Sequence, residues 1–383
     1  MGSKIPDELF GIYDDATYAK QQRYSSTITK LSLFKESIGF GLIIIILLGG
    51  WLGWLDSICH SFTDSSLLQT IIFVAIGIVV MQLVDIPMSY YSTFVVEARY
   101  GFNKSTKKTF WGDTIKSIIL GVVLGCVLIG AIAWLYDELK QEFWIYALVV
   151  FVAFILIINT FYSQLIAPLF NKQKPLESGS LRNSIMEFAQ KCNFPIDNVY
   201  VIDGSKHSTK ANAYFTGLGK TKRVVLYDTI IEQLSQEEIV AVLAHEIGHY
   251  KHHDLWKSIA FAIVYFAINL YVFSFLADSE TLPTALGGAG KSFILALVAF
   301  SLLFTPINLL SMPISNFFTR KAEYKADLFA CENGEGDNLI SGLKKLHANS
   351  LSNLTPHLLY VWFNYSHPTL LQRIVAIKCY LNK

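Results

Sequence analysis

The chain has 383 residues, with 52% hydrophobic and only 16% charged side chains. A soluble domain usually carries about 25% charged residues, so this composition excludes intrinsic disorder and argues against an ordinary soluble enzyme. The 31 Lys and Arg balance 30 Asp and Glu, so nothing in the charge suggests electrostatic binding to nucleic acid, and none is expected.

Six apolar runs are long enough to cross a bilayer as helix, which needs about 20 residues. They span 38–55, 67–88, 115–135, 143–161, 259–276 and 293–314, the last interrupted by Pro306 and Asn308. Asp85 lies inside the second run; it is expected to face protein or water, or to sit near the helix end. The first 30 residues are polar, so no cleavable signal peptide is expected. Lys and Arg alternate between loops: residues 1–36 and the loop after the second run are rich in them, whereas 56–66 and 277–290 are poor. This bias predicts that both termini, residues 171–256 and the tail after Arg320 lie on the cytosolic side. The expected division is a cytosolic segment 1–37, four membrane helices in 38–170, a catalytic region 171–256, two membrane helices in 257–318, and a helical tail 319–383. Five scattered cysteines, Cys59, Cys126, Cys192, Cys331 and Cys379, form no CxxC pair and read as single thiols.

The region 171–256 contains two strand-like runs, VYVIDGS (199–205) and RVVLYDT (223–229), with a turn expected at the glycines of NAYFTGLG (212–219). Ser235 with Glu238 forms a capping box that opens a helix. That helix carries HEIGH, with His245 and His249 four residues apart on one face, about 6 Å along the axis. Two such imidazoles can share one zinc ion, and Glu246 projects beside it, where it can take a proton from an attacking water. A catalytic zinc needs a third protein ligand. His252 lies about 10 Å along the axis from His245, so it and His253 read as solvated or supporting residues. In RKAEYKADLFA (320–330), Glu323 and Asp327 share a helical face. Glu323 is a candidate to complete a His₂Glu site, or else forms a local surface pair with Arg320. Asp327 could hydrogen-bond a ligating imidazole.

Six segments in order resemble the type I CAAX prenyl proteases, integral-membrane zinc metallopeptidases: IAPLFNKQKPLESG (166–179), VIDGSKHSTKANAYFTG (201–217), RVVLYDTI (223–230), AVLAHEIGHYKHHD (241–254), RKAEYKADLFA (320–330) and NYSHPTLLQRI (364–374). The resemblance runs from about Tyr18 to Lys378. It implies one zinc per chain on His245, His249 and Glu323, with Glu246 as base and Asp327 as a supporting acid. It implies that Asn212, His367 and Arg373 line the site, that His367 stabilises the oxyanion, and that Asn212, Ala213 and Tyr214 lie where substrate backbone adds as a strand. The implied fold is an all-α polytopic membrane protein, a helical barrel around a chamber, with a small α+β metalloprotease region at its cytosolic side. The family has seven membrane helices; this chain has six apolar runs, and only residues 1–17 precede the matching region, so the first helix is expected to be missing or truncated. Substrates would be isoprenylated proteins ending Cys-aliphatic-aliphatic-X, cleaved in the endoplasmic reticulum membrane of a eukaryote or the cytoplasmic membrane of a bacterium. A quality-control protease without prenyl requirement and a non-enzymatic transporter or scaffold are the alternatives.

Overall fold

Helices dominate because an apolar chain in lipid can satisfy its backbone N–H and C=O groups only within itself. The computed structural model describes residues 5–194, 196, 198–216 and 223–382, with backbone alone at 215 and 216. Among them, five helical segments are long and apolar enough to cross a membrane: Asp15–Leu48, Ser66–Tyr100, Lys107–Phe170, Asp254–Leu276 and Phe293–Glu332. The third holds two of the six apolar runs, on the helices Lys107–Leu139 and Phe143–Phe161. Lys140, at φ 48°, turns the chain between them.

Three boundaries differ from the sequence reading. The first helix runs unbroken from Asp15 to Leu48, so the division expected between 37 and 38 falls inside it. The helix also stops short of residue 55: Gly50 takes a left-handed φ of 64°, and a separate helix, Trp51–Phe62, begins. Hydropathy does not register this break. Gly53 explains its packing, since a Cβ there would lie 2.0 Å from the Gly287 carbonyl oxygen. At the other end, the sixth run and RKAEYKADLFA form one 40-residue helix through Pro306 and Pro313. The ligand-bearing segment is therefore the direct extension of a membrane span. Asp85 pairs with Lys35 of the first helix at 3.0 Å, both side chains about half exposed.

Four of the five segments, all but Asp15–Leu48, close into a ring. Ser66–Tyr91 packs on Lys107–Leu139, that helix on Phe143–Phe161, then Asp254–Leu276, then Phe293–Glu332, which returns to Ser66–Tyr91. Close packing gathers at one end, where Ile132, Leu135, Phe143, Phe273, Phe293 and Phe300 form a buried cluster. Further along the last span, all six residues from Thr305 to Leu310 are exposed. At 100° per residue, six positions cover every face of a helix, so this level is open toward the inside of the ring as well as outside.

A second core forms outside the spans, around Ile185, Val224, Ile230, Ala241, Ile247, Leu339 and Ile374. It includes a four-stranded sheet of β1 (Gln173–Pro175), β2 (Asn198–Ile202), β3 (Ala213–Thr216) and β4 (Arg223–Tyr227), in the order β1-β2-β4-β3. β2 and β4 are parallel and the outer pairings antiparallel. β3 is thus an edge strand. The glycine turn expected at 217–219 lies outside the described residues. The capping box of Ser235 and Glu238 is present and opens the helix Gln236–Lys251. Glu238 also accepts from Ser341 at 2.6 Å and Lys345 at 2.8 Å, fastening this helix to Gly336–Asn349.

Candidate metal centre

The HEIGH helix and the long helix Phe293–Glu332 meet closely at Gly248, where the HEIGH helix has no side chain. Gly248 makes this contact possible: a Cβ there would stand 2.8 Å from Ala326 Cα and 3.1 Å from the Ala326 carbonyl oxygen. The close approach carries Glu323 across the imidazoles of His245 and His249. Glu323 Oε1 lies 3.2 Å from His249 Nε2, and Oε2 lies 3.5 Å from His245 Nε2. The ligand atoms of the three residues fall within 4.8 Å of one another.

This donor set fits a zinc ion. Two ligands bound tetrahedrally at about 2.0–2.1 Å lie roughly 3.3 Å apart, close to the spacings found. Glu323 is 3% exposed, and its Oε2 is buried without a hydrogen-bond partner. His245 Nε2 at 3.5 Å and Arg373 Nη1 at 3.7 Å face this oxygen at ion-pair distance without hydrogen-bonding it; a buried charged oxygen short of hydrogen bonds is costly, and a cation among these atoms would satisfy it.

Each imidazole is held from its far nitrogen. His245 Nδ1 donates to Asp327 Oδ1 at 2.8 Å, which leaves the Nε2 lone pair facing Glu323. Arg373 grips the same Asp327 with both arms, Nε to Oδ2 at 2.9 Å and Nη2 to Oδ1 at 2.5 Å. The 3.2 Å approach of Arg373 Nη2 to His245 Nδ1 follows from their sharing one oxygen. His249 Nδ1 lies 3.1 Å from Asp254 Oδ2. Burial pulls the His249 pKa down, but the Glu323 and Asp254 carboxylates outweigh it and lift the metal-free imidazole to about 9. His245 is raised as well: burial and Arg373 oppose its charge, and Asp327 and Glu323 prevail.

Of the residues singled out in the sequence, His245, His249, Glu323, Asp327, His367 and Arg373 converge. His367 places Nε2 3.2 Å from Glu323 Oε1 while its side chain stays 62% exposed, as a group facing incoming substrate would. Arg373 was expected among the substrate contacts, yet it is 7% exposed and its fork is taken up by Asp327 behind the ligands. Glu246 follows His245 on the helix, within electrostatic reach of His249 and Arg373. Asn212 is exposed at the start of β3, its Oδ1 accepting from the Ala213 N–H at 2.9 Å. Ala213 and Tyr214 pair with Leu226 and Val225 of β4. His252 and His253 are not in the ligand group. The alternative of a local pair between Arg320 and Glu323 gives way to another contact: Arg320 Nη1 donates to the carbonyls of Tyr365 at 2.7 Å and Val361 at 3.4 Å. Asn316, one turn earlier, donates to the Phe363 carbonyl at 2.6 Å. Both fasten the short helix Leu358–Asn364 that leads into His367. Sequence reasoning passed over Asp254, whose only signal was an acid just after the HEIGH helix.

A helical membrane ring that carries an HExxH helix and an opposing glutamate defines a membrane-embedded metallopeptidase. The chain belongs to peptidase family M48, whose sequence model matches residues 175–380, while the model described as CAAX prenyl protease N-terminal, five membrane helices, matches residues 1–172. It is 33% identical over 383 residues to the CAAX prenyl protease 1 homolog of Oryza sativa, covering 98% of this chain and 90% of the relative. It is 32% identical to CAAX prenyl protease 1 of Saccharomyces cerevisiae, over 98% and 88% of the two chains. The crystal structure of Ste24p from S. mikatae superposes with a TM-score of 0.93 at 32% identity, over 98% of this chain and 92% of that one. These matches decide against a non-enzymatic transporter or scaffold.

Proposed function

We propose that the protein is a zinc endopeptidase that removes the C-terminal tripeptide from isoprenylated CAAX proteins at the cytosolic face of its membrane, which in a eukaryote is the endoplasmic reticulum. The observation that carries the chemistry is the convergence of His245, His249 and Glu323 donor atoms around one point. The substrate class comes from the proteins it is similar to, which are CAAX prenyl proteases.

His245, His249 and Glu323 hold one zinc ion per chain. When bound, zinc polarises the scissile carbonyl and makes a water molecule acidic enough to attack near neutral pH. Glu246 takes the proton of the attacking water and returns it to the leaving amine. His367, exposed and anchored through the Arg320 and Asn316 contacts, donates to the oxyanion. Asp327 keeps the His245 proton on Nδ1, and Arg373 neutralises Asp327 so that this carboxylate can remain buried. Substrate backbone adds to the free edge of β3 at Asn212, Ala213 and Tyr214. The open level of the helix ring beside Thr305–Leu310 leaves room for the prenyl chain.

The test is hydrolysis of two peptides by the purified protein, a farnesylated CAAX peptide and its non-prenylated counterpart. Tripeptide release from the farnesylated peptide, abolished by a zinc chelator and restored by zinc, is the expected result. Equal cleavage of both peptides would remove the prenyl requirement, and chelator-resistant cleavage would remove the metal.

A further inference from the structure

We infer that Asp254 is a positioning residue for the metal site, fixing the proton of His249 on Nδ1 so that Nε2 serves as the ligand. The inference rests on the reading of His249 as a zinc ligand and extends the site into the first turn of a membrane helix.

The chain geometry that brings the two side chains together is specific. Asp254 follows His249 by five residues. On a continuous helix that offset turns a side chain about 140° away from its origin, so the two could not meet. The helix Gln236–Lys251 ends instead at His252, and His253 takes a left-handed φ of 55°. A non-glycine residue enters that region only against a steric penalty. The reversal makes Asp254 the first residue of the helix Asp254–Leu276 and points its carboxylate back at the preceding helix.

The carboxylate is divided between two partners. Oδ2 faces His249 Nδ1 at 3.1 Å, and Oδ1 accepts from Lys257 Nζ at 3.1 Å. The Asp254 side chain is 13% exposed and Lys257 60% exposed. Lys257 therefore compensates charge from the solvent side, and the sheltered oxygen is left for the imidazole. An imidazole whose Nδ1–H is held by a carboxylate has its lone pair on Nε2, oriented and made more basic.

The two ligand histidines differ in how firmly they are held. His245 is 8% exposed, and its Asp327 is itself clamped by Arg373. The His249 side chain is 26% exposed and depends on Asp254 at its outer nitrogen. Loss of Asp254 is thus expected to loosen the ligand that has less support elsewhere, and zinc should leave faster.

The experiment is zinc competition against a chromophoric chelator, using the full chain in detergent micelles. Asp254→Ala is expected to weaken zinc binding about 10–100-fold. Asp254→Asn, nearly isosteric and still able to accept a hydrogen bond but uncharged, should fall between Asp254→Ala and wild type, and it covers the case in which the alanine variant does not fold. Lys257→Ala separates ligand orientation from a general weakening of the helix start; it should stay within about threefold of wild type, as an exposed ion pair contributes little. With cobalt in place of zinc, the visible absorption of Asp254→Ala should shift while that of Lys257→Ala matches wild type. Wild-type zinc affinity and an unchanged cobalt spectrum in both Asp254 variants would overturn the inference. His249→Ala is the separate control: retention of wild-type affinity there would overturn the ligand assignment itself.

Discussion

At Glu323 a carboxylate is almost fully enclosed and one of its oxygens has no hydrogen-bond partner. Glu323→Ala removes a metal ligand and should leave zinc bound by two imidazoles only. Metal analysis after extensive dialysis is expected to show clear zinc loss; full stoichiometric retention would take Glu323 out of the ligand set. Glu246→Gln should behave differently. The amide is nearly isosteric but cannot accept the proton, so zinc stays and peptide hydrolysis falls by at least about 10²–10⁴-fold. Near-normal turnover in that variant would remove Glu246 as the base. These residues were not equally legible. His245 and His249 declare themselves because i,i+4 on one helix is a local relation. Glu323 lies on another helix, so its partnership needed either the resemblance or the fold. The alternative of a local pair between Arg320 and Glu323 arose because i,i+3 is the local default, whereas the acceptors of Arg320 are carbonyls some forty residues further on. Asp254 stayed hidden because its approach to His249 depends on a left-handed residue that periodicity does not signal.

At the scale of elements, two contacts hold the HEIGH helix in place, and each makes a separable prediction. Gly248→Ala puts a methyl group 2.8 Å from Ala326 Cα, a backbone atom that cannot swing aside. Overpacking of this kind costs about 1–3 kcal/mol. It should also part the two helices, so thermal unfolding and zinc affinity should decline together. A variant with lowered stability but wild-type zinc affinity would show that the helix spacing does not set the site. The second contact is Glu238. Burial raises its pKa, but Lys345, Ser341 and the Ser235 N–H outweigh burial and hold it below its ordinary value near 4.5. A carboxylate lowered on folding adds stability that is fully present above its unfolded pKa and disappears as pH falls through the lower folded value. Glu238→Gln should therefore lower stability by about 1–2 kcal/mol near neutral pH and flatten the acid limb of the stability profile, measured by chemical unfolding across pH. An unchanged acid limb would count against this linkage. The capping box behind Glu238 was readable from four residues. The helix break at Gly49 and Gly50 and the unbroken helix through Pro306 and Pro313 were not, because hydropathy windows average over the residues where a chain turns or carries on.

For the whole molecule, loop charge predicts sidedness, and the ligands independently require that their two segments share one side. Lys and Arg are frequent in residues 1–36, in 171–256 and after Arg320, and absent from 277–290, a bias that predicts 277–290 on the far side of the membrane. The ligands give a second argument that makes no use of charge. His245 and Glu323 converge, so their segments lie on one side, and between them the chain passes through Asp254–Leu276 and the apolar part of Phe293–Glu332. Two crossings return the chain to the side it left; one or three would separate the ligands by a bilayer. The residues in and beside 277–290, among them Phe273, Ala277, Phe293 and Ala296, form the tight cluster at one end of the ring. Single cysteines report on it directly. In a background without native cysteines, Glu177→Cys and Glu280→Cys, both at exposed positions, should react with a membrane-impermeant thiol reagent from opposite faces of sealed, oriented vesicles. In vesicles with the cytosolic face outward, Glu177→Cys should label at once and Glu280→Cys only after detergent is added. Labelling of both from the same face would mean that 277–290 does not cross, leaving the last two spans as a hairpin and removing the ring that encloses the interior. Labelling from opposite faces in the reverse sense would keep the ring and the metal site but move cleavage away from the cytosol, where a prenylated C-terminus would meet it.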